Sequence, residues 1–361
     1  MHHDVNKLTW SFSRSTSTIT VQARFYLTVN DRVNDKSLVT LKDIREAQTR
    51  LSGVAARTEL IQALLPEGAD APSGRRLYLK PENLQPIGAF KLRGAYNKIA
   101  SLSPEERGRG VITYSSGNHG QGVAYAARAL GAKAVIVMPN DAPAIKREAA
   151  AAMGAEIVVV GPGSVDRQAK AEELAAQHGY VIVPPFNDEK IIAGQGTMGL
   201  EILEDFPEVE TILVPVGGGG MLSGVATAIK LSRPSIKVIG VEPELAADAQ
   251  ASLRTGKIVQ STADQTSRTI ADGLRTQSIG AINFEHIRLY VDDIVTVSED
   301  EIRQTTRWLA ANPKTVAEPS GAVAVAGFLF HQDQLPKTTM NVAIISGGNI
   351  DPQLLQEIRS M

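Results

Sequence analysis

The stretch Val214-Pro215-Val216-Gly217-Gly218-Gly219-Gly220-Met221-Leu222-Ser223-Gly224 decides how this chain is read. The apolar run over 211–216 has the length and composition of a buried strand, and 223–231 those of a helix. Four glycines between them remove every Cβ, so successive backbone N–H groups can converge on one anion. The positive end of the following helix adds to the attraction, and a phosphate is the natural guest. The turn has no Gly-Lys-Ser/Thr and lacks the Gly-x-Gly-x-x-Gly spacing, which sets aside a Walker loop and the dinucleotide fingerprint. A flexible strand-to-helix turn is the plain alternative. Four consecutive glycines lose more conformational entropy than such a turn requires.

Three other segments supply what a phosphate ligand would need around it. Gln85-Pro86-Ile87-Gly88-Ala89-Phe90-Lys91-Leu92-Arg93-Gly94 sets a lysine between an aromatic and an apolar residue, after a Pro/Gly turn, where a helix begins. A lysine held and partly desolvated there can attack a carbonyl as a free amine. On this segment alone, a surface lysine opening a helix is the alternative. Val111-Ile112-Thr113-Tyr114-Ser115-Ser116-Gly117-Asn118-His119-Gly120-Gln121-Gly122 is again a strand and a small polar loop, with a helix expected over 124–130. Its hydroxyls, amide and helix N–H groups suit a second anion, such as a substrate carboxylate. His119 reads either as a chemical group or as a packed residue capping the turn. Val342-Ala343-Ile344-Ile345-Ser346-Gly347-Gly348-Asn349 is a buried strand ending in a hydroxyl and two glycines. An amine, a phosphate cradle, a carboxylate clamp and a strand-end hydroxyl are all used by one cofactor, pyridoxal phosphate.

With these four motifs in order, the chain resembles the fold-type II pyridoxal-phosphate enzymes, in the threonine/serine dehydratase and serine racemase branch. The likeness runs from about residue 38 to the C-terminus. It implies a two-lobed α/β fold of the tryptophan synthase β type, with open twisted parallel sheets flanked by helices. It also implies a Schiff-base role for Lys91, with Phe90 beside the cofactor and Asn118 on the pyridoxal 3′-oxygen. Gly217, Gly218, Gly219, Gly220 and Met221 match the phosphate cradle, and Ser346 the group facing the pyridine nitrogen. Ser115, Ser116, Gly117, Asn118 and His119 fall in the loop that holds the substrate carboxylate. Ser116 also sits where racemases of this branch keep an acid/base serine opposite the lysine.

The acids of Val238-Ile239-Gly240-Val241-Glu242-Pro243-Glu244-Leu245-Ala246-Ala247-Asp248 read on their own as a solvated loop. Hard cations take oxygen ligands, which Glu242, Asp248 and the Ala246 carbonyl could supply. This spacing matches the divalent-cation site of part of the family, so the resemblance implies Mg²⁺, or Mn²⁺ or Ca²⁺ in its place. Other positions depart from the family pattern. Ala89 stands where many relatives have serine, and Pro86-Ile87 replaces the polar pair that helps animal racemases bind nucleotide, so no activation by ATP is expected. Pro185-Phe186-Asn187-Asp188 looks more like a dehydratase than a racemase.

The expected activity is therefore a dehydratase (ammonia-lyase) turning L-threonine, L-serine or a related β-hydroxy amino acid into a 2-keto acid and ammonia. Serine racemase and 3-hydroxyaspartate dehydratase are the alternatives on the same fold, and a non-catalytic phosphate-binding module is a remote one. The chain has 361 residues with 37 basic and 39 acidic side chains, so no charge excess favours nucleic acid or a membrane surface. It contains no cysteine, which excludes disulfides and thiolate chemistry. A cytoplasmic homodimer acting on a small amino acid is the expectation. The domain reading places an N-terminal, flexible extension at 1–37, a large cofactor domain at 38–108 and 186–361, and a small inserted domain at 109–185. Residues 18–25 alternate as an edge strand would.

Overall fold

A computed structural model describes residues 38–65, 74–115, 117–140, 142, 144–161 and 164–360. The N-terminal extension, with the flexibility and edge strand expected of it, and Ser116 lie outside the described residues. In chain order the strands are β1 (Ile61–Gln62), β2 (Arg76–Pro81), β3 (Val111–Thr113), β4 (Ala134–Pro139), β5 (Glu156–Val160), β6 (Val181–Ile182), β7 (Thr211–Pro215), β8 (Lys237–Pro243), β9 (Asp293–Val297) and β10 (Met340–Ile345). They form two sheets, one of order β1-β2-β10-β7-β8-β9 and one of order β5-β4-β3-β6. Every pairing is parallel except that of β1 with β2.

The central strands are apolar because helices cover both faces of the sheet. All five residues of β7 are buried, as are the last five of β10. The nearly all-apolar helix Pro319–Phe330 packs on one face of the larger sheet, among Leu79, Leu213, Val241 and Ile345. On the other face the helices Glu189–Asp205 and Gly220–Ser232 lie backbone to backbone. Small residues permit this approach: a Cβ at Gly224 would come within 2.3 Å of the Ile192 carbonyl and 2.6 Å of the Gly196 nitrogen.

In parallel sheets the carboxyl ends of the strands are the usual ligand-binding edge. The Lys91 turn follows β2, the tetraglycine turn follows β7, the Ser346 loop follows β10, and the Ser115–Asn118 loop follows β3. Two helices begin earlier than the sequence predicts, at Gly220 rather than 223 and at Asn118 rather than 124. Their first turns are glycine and polar residues that read as loop, yet close packing holds them helical. Gly122, for example, lies so near helix Lys91–Ala100 that a Cβ there would sit 3.2 Å from the Lys91 carbonyl.

Candidate active site

The turn that delivers Lys91 is tied to the end of β10. Gly88 adopts φ +72°, a region that favours glycine, and its N–H donates to the Gln85 carbonyl at 2.7 Å. The Phe90 N–H then donates to the Ser346 carbonyl at 3.0 Å, and that of Gly348 to the Gly88 carbonyl at 2.9 Å. Lys91 is the first residue of its helix, and its Nζ donates to the Pro185 carbonyl at 2.7 Å. The Phe90 ring lies 5.2 Å from that nitrogen. Among the described residues no carboxylate forms an ion pair with Lys91, and burial lowers its amine to about 8.

The tetraglycine turn faces the same space. Gly219 has φ +90° and caps the helix Gly220–Ser232. A Cβ at Gly218 would lie 2.3 Å from the Phe186 ring, and one at Gly220 would lie 3.0 Å from Phe186 Cβ. The Gly218 carbonyl is held from behind by the Gly280 N–H at 3.1 Å and by Asn283 Nδ2 at 2.9 Å. The N–H groups of Gly217, Gly218 and Gly219 donate to no protein acceptor among the described residues. Unpaired backbone donors at a helix N-terminus constitute an anion site.

Phe90, Lys91, Asn118, Gly217, Gly218, Gly219, Gly220, Met221 and Ser346 all line one cavity of about 510 Å³, together with Ser115, Gly117 and His119. A deprotonatable amine and a phosphate cradle on one cavity fit a small molecule that carries both an aldehyde and a phosphate. The side chains between them are well ordered by hydrogen bonds. Asn118 Nδ2 donates to Glu318 Oε1 at 2.7 Å, and Asn118 Oδ1 accepts from Asn349 Nδ2 at 2.8 Å. Ser346 is buried, and its hydroxyl donates to the Ser320 carbonyl at 3.4 Å.

His119 is buried with Nε2 2.9 Å from the Val183 carbonyl. A carbonyl can only accept, so Nε2 carries the proton and Nδ1, which has no partner among the described residues, is a bare acceptor. Burial and the nearby Lys91 lower the imidazole to about 3, outweighing the Val183 contact. The ring is therefore neutral at physiological pH and has no second proton to give.

Glu242 and Asp248 lie away from this cavity, at and beyond the end of β8, and both are buried. Glu242 accepts from the N–H groups of Ala249 at 3.0 Å and Gln250 at 2.8 Å. Among the described residues no side chain donates to the Asp248 carboxylate, and only the backbone amides of Asp248 and Ile279 face it. Burial and the Asp248 charge hold Glu242 well above the usual carboxylate range, and burial raises Asp248 to about 7 although backbone amides oppose it. Among the described residues no three His, Cys, Asp or Glu side chains converge as a metal cluster. The two acids therefore fit a cation only if backbone carbonyls and water complete the shell; Ala246 is buried beside them in sequence.

Several site residues escaped the sequence reading. Phe186 beneath the glycines, Asn283 behind them, and Glu318 and Asn349 beside Asn118 become neighbours only through the fold. Asn349 stood in the quoted Ser-Gly-Gly-Asn segment, and its amide was the available signal. Also missed was a buried ionic cluster next to the lysine. Arg93 donates to Glu82 through Nε and Nη2, both at 2.8 Å, and to Glu201 through Nη1 at 2.6 Å and Nη2 at 2.8 Å. Lys80 Nζ completes it, 2.7 Å from Glu201 and 2.8 Å from the Thr58 carbonyl.

This site, on this fold, defines a pyridoxal-phosphate enzyme of fold type II. The family of pyridoxal-phosphate dependent enzymes matches the chain over residues 51–347, and the chain belongs to it. An L-threonine ammonia-lyase from Thermotoga maritima is 46% identical over 321 residues, covering 89% of this chain and 78% of that protein. An L-threo-3-hydroxyaspartate ammonia-lyase from Saccharomyces cerevisiae is 41% identical over 312 residues, covering 86% and 94%. The solved structure of maize serine racemase superposes with a TM-score of 0.82 at 37% identity, covering 88% of this chain and 96% of that one. Among the described residues no helix is long and apolar enough to cross a membrane.

Proposed function

We propose that this chain is a pyridoxal-phosphate-dependent ammonia-lyase that converts L-threonine, L-serine or a related β-hydroxy amino acid to a 2-keto acid and ammonia. The observation that carries the reading is one cavity shared by a lysine with no carboxylate partner and a tetraglycine turn whose N–H groups have no acceptor, both among the described residues. Lys91 would hold the cofactor covalently, the N–H groups of residues 217–220 its phosphate, Asn118 its ring oxygen and Ser346 its ring nitrogen. Bound there, pyridoxal phosphate supplies an electron sink for the pair left when an α-proton departs.

The protein's own groups account for the rest. With its pKa brought near 8 by burial, Lys91 Nζ can serve as a neutral base and take the proton from the substrate Cα. Ser115, Ser116, Gly117 and the N-terminus of helix Asn118–Ala129 orient the substrate carboxylate. His119, neutral, donates its Nε2–H to the Val183 carbonyl, which keeps that helix start in place and leaves Nδ1 as an acceptor. Ser346 is a neutral hydroxyl, which holds no proton firmly on a ring nitrogen and so favours rapid loss of the β-hydroxyl. Ammonia-lyase relatives at 46% and 41% identity support elimination, while the maize racemase supports keeping racemisation, with Ser116 as its second acid/base group, as the other reading. A phosphate-binding module without catalysis would have no use for Lys91.

The buried, uncompensated acids Glu242 and Asp248 support a bound divalent cation such as Mg²⁺, Mn²⁺ or Ca²⁺, held for structure or activation. The four-stranded sheet, whose strands run from Val111 to Ile182, supports treating 109–185 as a small domain against the cofactor-binding remainder. A cytoplasmic homodimer completes the proposal, supported by the cysteine-free composition and by the frequency of two-fold assemblies. The test is a panel of β-hydroxy amino acids assayed for keto acid, ammonia and the D isomer. Keto acid and ammonia from L-threonine or L-serine are expected, and Ser116→Ala should spare them. D-serine as the main product would replace the lyase reading by the racemase.

A further inference from the structure

Asn349, on the loop after β10, reaches two other segments of the site. Its Nδ2 donates to the Ile87 carbonyl at 2.9 Å and to Asn118 Oδ1 at 2.8 Å. It therefore connects the turn that delivers Lys91, the loop after β10, and the first residue of helix Asn118–Ala129. We infer that Asn349 is the positioning residue that fixes which way the Asn118 amide faces, and thereby presents an N–H of Asn118 to the cofactor. This rests on the reading of Asn118 as a cofactor partner.

The orientation follows from two fixed acceptors at the ends of the chain of contacts. A backbone carbonyl accepts only, so the Asn349 atom facing Ile87 must be the NH₂ group. The Asn118 atom that faces this NH₂ must then be its oxygen, which turns the Asn118 nitrogen the other way. The far end demands the same answer, because Glu318 Oε1, 2.7 Å from Asn118 Nδ2, is a carboxylate oxygen and needs a donor. Of the two N–H bonds on Asn118 Nδ2 one goes to Glu318; the second has no protein acceptor among the described residues and is free for a ligand oxygen.

The backbone makes room for this arrangement. A Cβ at Gly88 would lie 2.4 Å from Asn349 Oδ1, and one at Gly347 would lie 2.6 Å from Glu318 Oε1 and 3.1 Å from Asn118 Nδ2. Two glycines of the motif segments are thus shaped around these side chains. Asn349 is exposed on its outer side, so water can replace its hydrogen bond after truncation. Water both donates and accepts, however, and dictates no orientation. A carboxylate at the same place would dictate the wrong one.

The experiment titrates apoprotein with pyridoxal phosphate, following the visible absorbance of the lysine-bound cofactor, for the wild type, Asn349→Asp, Asn349→Ala, Asn118→Ala and the Asn118→Ala/Asn349→Ala double variant. Thermal midpoints of the apoproteins report folding independently. Asn349→Asp should weaken binding about tenfold and Asn349→Ala about threefold, the range of a lost partly exposed hydrogen bond against a reversed one. In the Asn118→Ala background the Asn349→Ala change should add less than about twofold, since the residue acts through Asn118. If Asn118→Ala is impaired while both Asn349 variants bind as the wild type, or if the two alanine effects multiply, the positioning role is overturned and the reading of Asn118 stands. If Asn118→Ala binds as the wild type, that reading falls and takes the inference with it. Should Asn349→Asp not fold, the Asn349→Ala and double variants decide alone.

Discussion

Lys91 and Arg93 stand two residues apart on one helix, and the protein treats their charges in opposite ways. Arg93 points into a sealed region where Glu82 and Glu201 close on its guanidinium and Lys80 balances the count at two cations and two anions. Burial would lower its pKa, but the two carboxylates outweigh that and raise it. Glu201 mirrors this, with burial offset by Arg93 and Lys80 so that its carboxyl stays below the usual range. Lys91 looks into the cavity, with a carbonyl for a partner and no counter-ion among the described residues, and burial alone brings its amine to about 8. A compensated charge is fixed and structural. An uncompensated one is ready to lose its proton, and reactivity here comes from the partner that is missing.

Breaking the compensated side should have the largest effect. Arg93→Met leaves Glu82 and Glu201 buried with only Lys80 to answer them, and a loss of roughly 3–5 kcal/mol in urea unfolding is expected. Arg93→Lys, which keeps the charge but not the forked geometry, should lose less. Equal stability of the Met variant and the wild type would mean the cluster is not the anchor of this helix.

Glu242 and Asp248 extend the comparison to anions, since backbone amides face them but no cationic side chain pairs with either among the described residues. If an external cation supplies that charge, a divalent ion at about one hundred times its Kd should stabilise the apoprotein by about 2.7 kcal/mol. Asp248→Asn should abolish that gain in a thermal-shift measurement with Mg²⁺, Mn²⁺ and Ca²⁺. Stabilisation undiminished in the variant would place the cation elsewhere.

The fold was largely legible because its signals are local. The glycine turn between an apolar run and a helix, the repeated strand–loop–helix units and the helix over 41–51 each announce themselves within a dozen residues. The site was legible only where chemistry leaves a mark on composition, as with the tetraglycine and the lysine beside Phe90. Asn283 and Glu318 left none, because each acts on a segment far along the chain and looks ordinary in its own; Phe186 stands in a dehydratase-like stretch, yet nothing there tells that its ring lies against the glycines. The ionic cluster was hidden for the same reason: Glu82 and Glu201 are 119 residues apart in numbering and meet only through Arg93. The helix Glu189–Asp205 that carries Glu201 is buried along most of its length, so it lacks the polar face that marks a surface helix.

The central claim is that Lys91, the uncompensated amine, carries the cofactor whose phosphate rests on residues 217–220. The direct test is borohydride reduction of protein incubated with pyridoxal phosphate, followed by peptide mapping across a pH series. Attachment is expected on Lys91, rising through pH 8 as the amine loses its proton and levelling off above. Label spread over surface lysines such as Lys133 or Lys237, or an unlabelled Lys91 peptide at every pH, would contradict the account.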